Sequence, residues 1–339
     1  MTGSYVALIT GASSGIGEAT ARRLAREPDT SLVLVARRQD RLESLAEEVG
    51  GATVVAVDVT ADDAPARIRD AVEAQHGRLH LLVNNAGAAW RGRFADTGWS
   101  NIERHMKLNF EAPVKLTEAL LPLLRRTAQE VTQDGRQVAI VNVASTAARV
   151  SRPNSGAYSA SKFALAGWSD ALAAEEREHG VHVGLVLPGF IRTEGFPARE
   201  LPRVIVSKPE VVAEAIVEAG PGGRPERYVP RPYWLAAASR VLAPRLLRRA
   251  TAGGAFTTAT RTTTEVADDG AGGGEQSGST SAASARADEP APPLADEPRD
   301  VAAAESGTNV PQPEAEPAAA GGGDQWVPSP GEATADSGD

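Results

Sequence analysis

The chain contains no cysteine, which excludes disulfides and thiolate metal sites. Its five histidines, His76, His80, His105, His179 and His182, show no paired metal spacing, so no metal site is expected. His179 and His182 flank a helix-to-strand turn and read as surface or cap residues. No apolar run is long enough to span a bilayer. No secretory signal precedes the first strand-like run, which already begins at residue 5, so the expected compartment is the cytoplasm. A Walker loop is also missing, because no Gly-Lys-Ser/Thr follows the glycines near the start.

What is present is a regular alternation. Apolar runs recur at Tyr5–Thr10, Ser31–Ala36, Ala52–Val57, Leu79–Val83, Gln137–Val143 and Val181–Leu187, with a further short strand at Arg227–Pro230. They are rich in Val, Ile and Leu with little polar alternation, as suits strands buried on both faces. Helical stretches separate them, at Gln39–Val49, Ala64–Gln75, Ile102–Arg126 and Ala157–His179. The pattern predicts an α/β fold, a Rossmann-type doubly wound parallel sheet of about seven strands with helices on both faces.

The first strand runs into Gly11-Ala12-Ser13-Ser14-Gly15-Ile16-Gly17 and then a helical pattern. A glycine turn there lets the backbone approach a pyrophosphate, and the helix start favours the anion. The spacing is G-x-x-x-G-x-G rather than G-x-G-x-x-G. A site preferring NAD usually places an acid about 20 residues past the glycines. Here that stretch reads Val35-Ala36-Arg37-Arg38. Arg37 would clamp a 2′-phosphate, which favours NADP(H) over NAD(H). The other reading is that Arg37 and Arg38 solvate the start of the next helix, where Asp40 sits in the first turn.

Tyr158 and Lys162 stand four residues apart, on one face of a helix. A cation near a phenol lowers its pKa from about 10, and a tuned phenol can pass a proton to or from a substrate oxygen. On spacing alone, a solvated helix face explains the pair as well. Ser145 ends the apolar run before them. Asn109 lies inside the long helix of Ile102–Arg126, where asparagine is a poor helix former.

Taken in order, Thr10-Gly11-Ala12-Ser13-Ser14-Gly15-Ile16-Gly17, Asp58-Val59, Asn84-Asn85-Ala86-Gly87, Asn109, Ser145, Tyr158-x-x-x-Lys162 and Pro188-Gly189-x-x-x-Thr193 resemble the short-chain dehydrogenase/reductase family over roughly the first 230 residues. The resemblance implies that Gly11, Ser13, Ser14, Gly15, Ile16, Gly17, Arg37, Asp58, Val59, Asn85, Ala86, Gly87, Tyr158, Lys162, Pro188, Gly189 and Thr193 hold the dinucleotide. Of these, Asp58 and Val59 would lie along the adenine, and Thr193 would meet the nicotinamide carboxamide. Asn85 would chiefly tie neighbouring strands together. The catalytic set would be Asn109, Ser145, Tyr158 and Lys162. Tyr158 would be the acid and base, Ser145 would bond the carbonyl oxygen, and Asn109 would hold a relay water beside Lys162. The family also implies a homo-oligomer, through the helices around Ile102–Arg126 and Ala157–His179.

The substrate is expected to be a small carbonyl compound or alcohol, with no nucleic acid partner. The segment Phe190–Ser207 should form the substrate loop. Its Phe190, Ile191, Phe196, Leu201, Val204 and Ile205 predict an apolar pocket, although Arg192, Arg199 and Arg203 could meet an anion. Trp90 and Trp99 could line a pocket or simply pack in the core.

Composition divides the chain into a catalytic domain at 1–232, an amphipathic segment at 233–250 and an acidic low-complexity tail at 251–339. The tail holds 16 of the 44 acidic and 3 of the 35 basic residues, leaving the tail at −13 and the rest at +4. Such a composition predicts disorder. The 233–250 segment mixes Trp234, Leu235, Val241, Leu242, Leu246 and Leu247 with Arg240, Arg245, Arg248 and Arg249, and Pro244 should kink or split it. Contact with a membrane surface, a lid, a subunit contact or docking on its own domain all fit. An alternative to an NADP(H)-dependent oxidoreductase is an inactive nucleotide-binding regulatory or scaffold protein of the same fold. An isomerase, epimerase or dehydratase on this scaffold is a third reading. The intact set Asn109, Ser145, Tyr158 and Lys162 favours the oxidoreductase.

Overall fold

The structure is a computed structural model that describes residues 5–130, 136–194 and 206–252. Six apolar runs form β1 (Tyr5–Thr10), β2 (Thr30–Ala36), β3 (Thr53–Ala56), β4 (Leu81–Asn84), β5 (Ala139–Val143) and β6 (His182–Pro188). Two short strands, β7 (Phe190–Ile191) and β8 (Val206–Ser207), pair with each other, and β9 (Glu226–Val229) completes the main sheet. Its order is β3-β2-β1-β4-β5-β6-β9, and every pairing is parallel.

Successive strand residues point to opposite faces. Along β1, Tyr5, Ala7 and Ile9 pack on one side while Val6 and Leu8 pack on the other. Both faces are therefore apolar. On the first lie α1 (Gly15–Leu24), α2 (Gln39–Glu48) and α7 (Pro209–Ala219), contributing Leu24, Leu42, Leu45 and Ile216. On the second lie α3 (Ala64–His76), α5 (Ala112–Gln129) and α6 (Gly156–Glu175), contributing Ile68, Val72, Leu120, Leu124 and Leu172. Helix α7 has no counterpart in the sequence reading.

The single helix expected over Ile102–Arg126 is divided. Helix α4 (Phe94–Met106) passes into a π turn at Lys107–Glu111, and α5 follows. Pro113 explains the change of winding. It has no N–H to give the Asn109 carbonyl four residues back, so a regular α turn cannot close there. Likewise the helix expected to reach His179 ends at Glu175, and a 3₁₀ turn covers Glu176–His179.

Pro244 splits the C-terminal segment into α8 (Tyr233–Leu242) and α9 (Pro244–Ala252). No residue of α8 is buried. Helix α9 runs through Ala252, two residues past the boundary that composition suggested. The expected acidic tail, from 253 onward, and the middle of the substrate loop, 195–205, lie outside the described residues. Among the described residues, no helix is long and apolar enough to cross a membrane.

Candidate functional site

Strands β1 and β4 are neighbours, with β2 and β3 on one side and β5, β6 and β9 on the other. Crossovers leave this pair in opposite directions, so a crevice opens past its carboxyl ends. The glycine turn follows β1 and Asn85–Gly87 follows β4. Ser145 lies just past β5, and Gly189 follows β6. Four segments distant in sequence thus meet along one edge.

Gly11 has φ +68°, a backbone conformation that costs glycine little. A Cβ on Gly17 would lie 2.3 Å from the Gly11 carbonyl oxygen and 2.7 Å from Asn85 Nδ2, so the turn is closed too tightly for a side chain. Asn85 knits the strand ends. Its N–H donates to Thr10 Oγ1 at 3.0 Å and its Nδ2 to the Thr10 carbonyl at 2.9 Å. The Ala86 N–H also donates to Thr10 Oγ1 at 3.0 Å. Ser14 is the N-cap of α1, yet its hydroxyl accepts no bond from the helix. Thr193 leans over the turn, with its methyl 3.1 Å from where a Gly15 Cβ would be.

Two arginines follow β2. Arg37 is exposed and stands 3.8 Å from Asp58. Burial works to raise the Asp58 carboxyl, but two bonds from Thr60 and the charges of Arg37 and Lys107 outweigh it and hold the pKa below the usual range. Arg38 turns back and donates from Nη2 to Ser13 Oγ at 3.1 Å and to the Ser13 carbonyl at 3.3 Å. Of the two, Arg38 is the one that reaches the glycine turn. Glu194 joins this rim, 2.7 Å from Arg41 and 3.8 Å from Arg38. Val59, Ala86 and Leu108 line a shallow cleft with Thr10 and Asn84.

At the other end, Lys162 is 4% exposed and donates from Nζ to the Val143 carbonyl at 2.8 Å. A Cβ on Gly87 would lie 2.9 Å from Asn109 Oδ1 and 3.4 Å from Lys162 Nζ, so the three residues converge. Asn109 is completely buried. Its Oδ1 accepts from the Ala88 N–H and its Nδ2 donates to the Ala88 carbonyl and Ser161 Oγ, all at 3.0 Å. The asparagine that looked misplaced in a helix occupies the π turn and pins the loop after β4. Ser145 Oγ donates to the Pro188 carbonyl at 3.3 Å and accepts from the Ala147 N–H at 3.1 Å. It also lies within hydrogen-bonding reach of the Tyr158 phenol.

The electrostatics differ from the expectation of a phenol acidified by its helical neighbour. Burial dominates and pushes Tyr158 above its ordinary value. The opposing influences are Ser145, Arg91 and Arg152 rather than Lys162. Lys162 is itself depressed by burial, to about 8. The cations that favour the phenolate thus sit on two loops, not one helical turn away.

His105 also belongs to the site. Its Nε2 accepts from the Trp90 N–H at 3.0 Å, which leaves Nδ1 to donate to the Asn101 carbonyl at 2.6 Å. Burial lowers its pKa, in keeping with a neutral ring. The ring meets Tyr158 edge-on at 6.1 Å between centroids. Trp90 packs edge-on against it, whereas Trp99 is 68% exposed and is not a core residue. Nothing in the spacing of Arg91, His105 or Arg152 marked them. Loop geometry alone brings them to Tyr158.

A family model described as "short chain dehydrogenase" matches residues 5–201. The chain is 33% identical over 198 residues to dehydrogenase/reductase SDR family member 7B of Danio rerio, covering 56% of this chain and 61% of that protein's length. It is 33% identical over 227 residues to the ketoacyl reductase HetN of Nostoc sp., covering 65% of this chain and 76% of that protein. A solved alcohol dehydrogenase from Thermococcus sibiricus, complexed with 5-hydroxy-NADP, superposes with a TM-score of 0.58 at 26% identity, covering 66% of this chain and 94% of that one. The family match spans more than half of a chain whose glycine turn and Tyr158–Lys162 helix lie on one sheet edge, and the chain belongs to the short-chain dehydrogenase family.

Proposed function

We propose that this protein is an NADP(H)-dependent oxidoreductase that interconverts a carbonyl and a secondary alcohol, with Tyr158 as general acid and base. The observation that carries the reading is the convergence of Ser145, Tyr158, Lys162 and Asn109 on the same sheet edge as a turn suited to an anion. Residues around the crevice fit a dinucleotide. Gly11 and Gly17 leave backbone where a side chain would intrude, and the first turn of α1 has no side-chain cap, so its N–H groups suit a pyrophosphate. Arg37 and Arg38, the latter bonded to Ser13 of the turn, fit a 2′-phosphate better than a bare ribose hydroxyl. That choice of NADP(H) over NAD(H) agrees with the analogue bound to the Thermococcus protein.

What the dinucleotide supplies when bound is a hydride for the carbonyl carbon, leaving the cofactor oxidised. The chain supplies the rest. Ser145 donates to the carbonyl oxygen as negative charge develops there. Tyr158 gives that oxygen its proton. Because burial raises the phenol's pKa, it stays protonated near neutrality, the state a reduction requires. Lys162 is held by Val143 within reach of Gly87, where it would bind the hydroxyls of the cofactor ribose. Asn109 sets the Ala88 loop and is a positioning residue.

The test is fluorescence titration with NADPH and NADH, followed by a ketone screen for NADPH oxidation. Tight NADPH binding with no turnover of any carbonyl, and no difference in Tyr158→Phe, would instead point to a regulatory nucleotide-binding protein.

A further inference from the structure

Helix α8 faces the wrong way for a helix docked on its own domain. At about 100° per residue, positions seven apart share a direction. Tyr233 and Arg240 make one such row, and both engage the domain. The Tyr233 ring packs so near Gly189 that a Cβ there would fall 1.9 Å from its Cε2. Arg240 donates to the Arg149 carbonyl at 3.1 Å, and its guanidinium lies 4.3 Å above the centre of the Phe163 ring. Trp234 with Val241, and Leu235 with Leu242, make two further rows on the other side. All four are exposed, Val241 by 79% and Leu242 by 82%. The helix therefore meets its domain with a cation and turns its apolar side to solvent.

Helix α9 adds charge to this face. By the same rotation, Arg245, Arg248 and Arg249 fall within one half of the helix, with Leu246 on its flank, 69% exposed. Residues 231–252 hold five arginines and no aspartate or glutamate. A second copy of the chain fits such a patch poorly. A two-fold contact sets one patch against itself, so the arginines would meet like charge with no acid of the segment to answer them. The acidic stretch from 253 onward matches the arginines in charge, but it is poor in large apolar side chains to cover Val241 and Leu242. An anionic bilayer surface answers both needs. Acyl chains receive Trp234, Leu235, Val241 and Leu242, and headgroup phosphates receive the arginines. Helices of ten and nine residues are too short to cross a bilayer, so they would lie along it.

We propose that α8 and α9 form a docking surface for an anionic membrane, on which the protein rests reversibly with neither helix spanning it. Docking of this kind does not depend on the reaction that the crevice catalyses.

The experiment uses the full chain and sucrose-loaded vesicles, of phosphatidylcholine alone or mixed equally with phosphatidylglycerol, separated by centrifugation. The protein should sediment with the mixed vesicles and bind the neutral ones about tenfold more weakly or worse, and salt at about 0.5 M should narrow the difference. Leu242→Gln should weaken binding to the mixed vesicles about tenfold. Arg245→Gln combined with Arg249→Gln should weaken it about tenfold as well, without changing what remains on neutral vesicles. These positions are exposed, so the melting temperature of each variant should stay within about 2 °C of the parent. Equal binding to both kinds of vesicle, or variants that bind as the parent does, would overturn the proposal. A chain that stays in solution with every vesicle would overturn it too. Light scattering then names the other occupant. A dimer that Leu242→Gln dissociates would make the face a contact between copies, and a monomer throughout would leave the acidic stretch as its cover.

Discussion

The two ends of the crevice are built from different materials. The end proposed for the nucleotide is mostly backbone. Its shape comes from Gly11, Gly17 and the uncapped start of α1, and Asn85 and Thr10 hold it shut from behind. The proposed reacting end is made of side chains that arrive from β5, α6, the π turn and two loops. Lys162, Asn109 and Ser145 there are all buried, and each is engaged by a backbone carbonyl. A backbone site tolerates almost no added volume but asks little of distant residues. A side-chain site depends on the elements that aim it.

The largest expected effect separates the two ends outright. Tyr158→Phe should lower kcat/KM by about 10³-fold while NADPH binding, read by fluorescence, changes little. A comparable loss of NADPH affinity would mean that the phenol holds the cofactor more than it moves a proton.

Next comes the burial cost of Lys162. Its pKa is about 8 in the folded protein against about 10.4 in an unfolded chain. Between those values the unfolded chain holds a proton that the folded chain has shed, so stability rises with pH across that window. Below about 8 the cost is fully present. Ligand-free protein should gain at most about 3 kcal/mol from the lower to the upper limit, by urea melts, and Lys162→Met should flatten the curve. A wild-type profile as flat as the variant's would show that the amine is not desolvated.

A smaller effect falls on the backbone end. Gly17→Ala places a methyl group against the Gly11 carbonyl, and the turn must open. NADPH affinity should drop by about tenfold to a hundredfold with little change in the pH profile of the residual activity. If the profile moves as well, the two ends are mechanically coupled. The finest test divides Arg37 from Arg38. Either one replaced by Ala should weaken NADPH by about tenfold and NADH far less. Because Arg38 is tied to Ser13, its loss should be the larger. Equal losses for both nucleotides would remove the 2′-phosphate assignment.

The same division governs what could be read from the sequence. Strands β1 to β6 declared themselves as Val-, Ile- and Leu-rich runs because both faces of a parallel sheet are apolar. The glycine turn was readable because its constraint is local, as was the break at Pro244. Tyr158 and Lys162 were found through a spacing of one helical turn, but their electrostatic setting was not. That setting comes from Arg91 and Arg152, which belong to loops whose geometry no periodicity encodes. Asn109 gave a partial signal, a poor helix former inside a helix. The cause, a proline four residues further on, stands in the same sequence, but its effect on the winding shows only in the folded chain. Arg38 and Arg37 are adjacent and chemically alike, so only the path of the chain after β2 separates the one that meets Ser13 from the one that faces solvent.

The π turn at Lys107–Glu111 has one further consequence. It spends an additional residue on a single coil of the helix, and each residue of a regular helix advances the direction of its side chain by about 100°. Omitting any one position between 107 and 111 would turn α4 relative to α5 by about 100° and swing Asn109, or everything before it, away from Ala88. Apart from Asn109, this stretch should therefore accept many exchanges of residue type but no change in its number of residues.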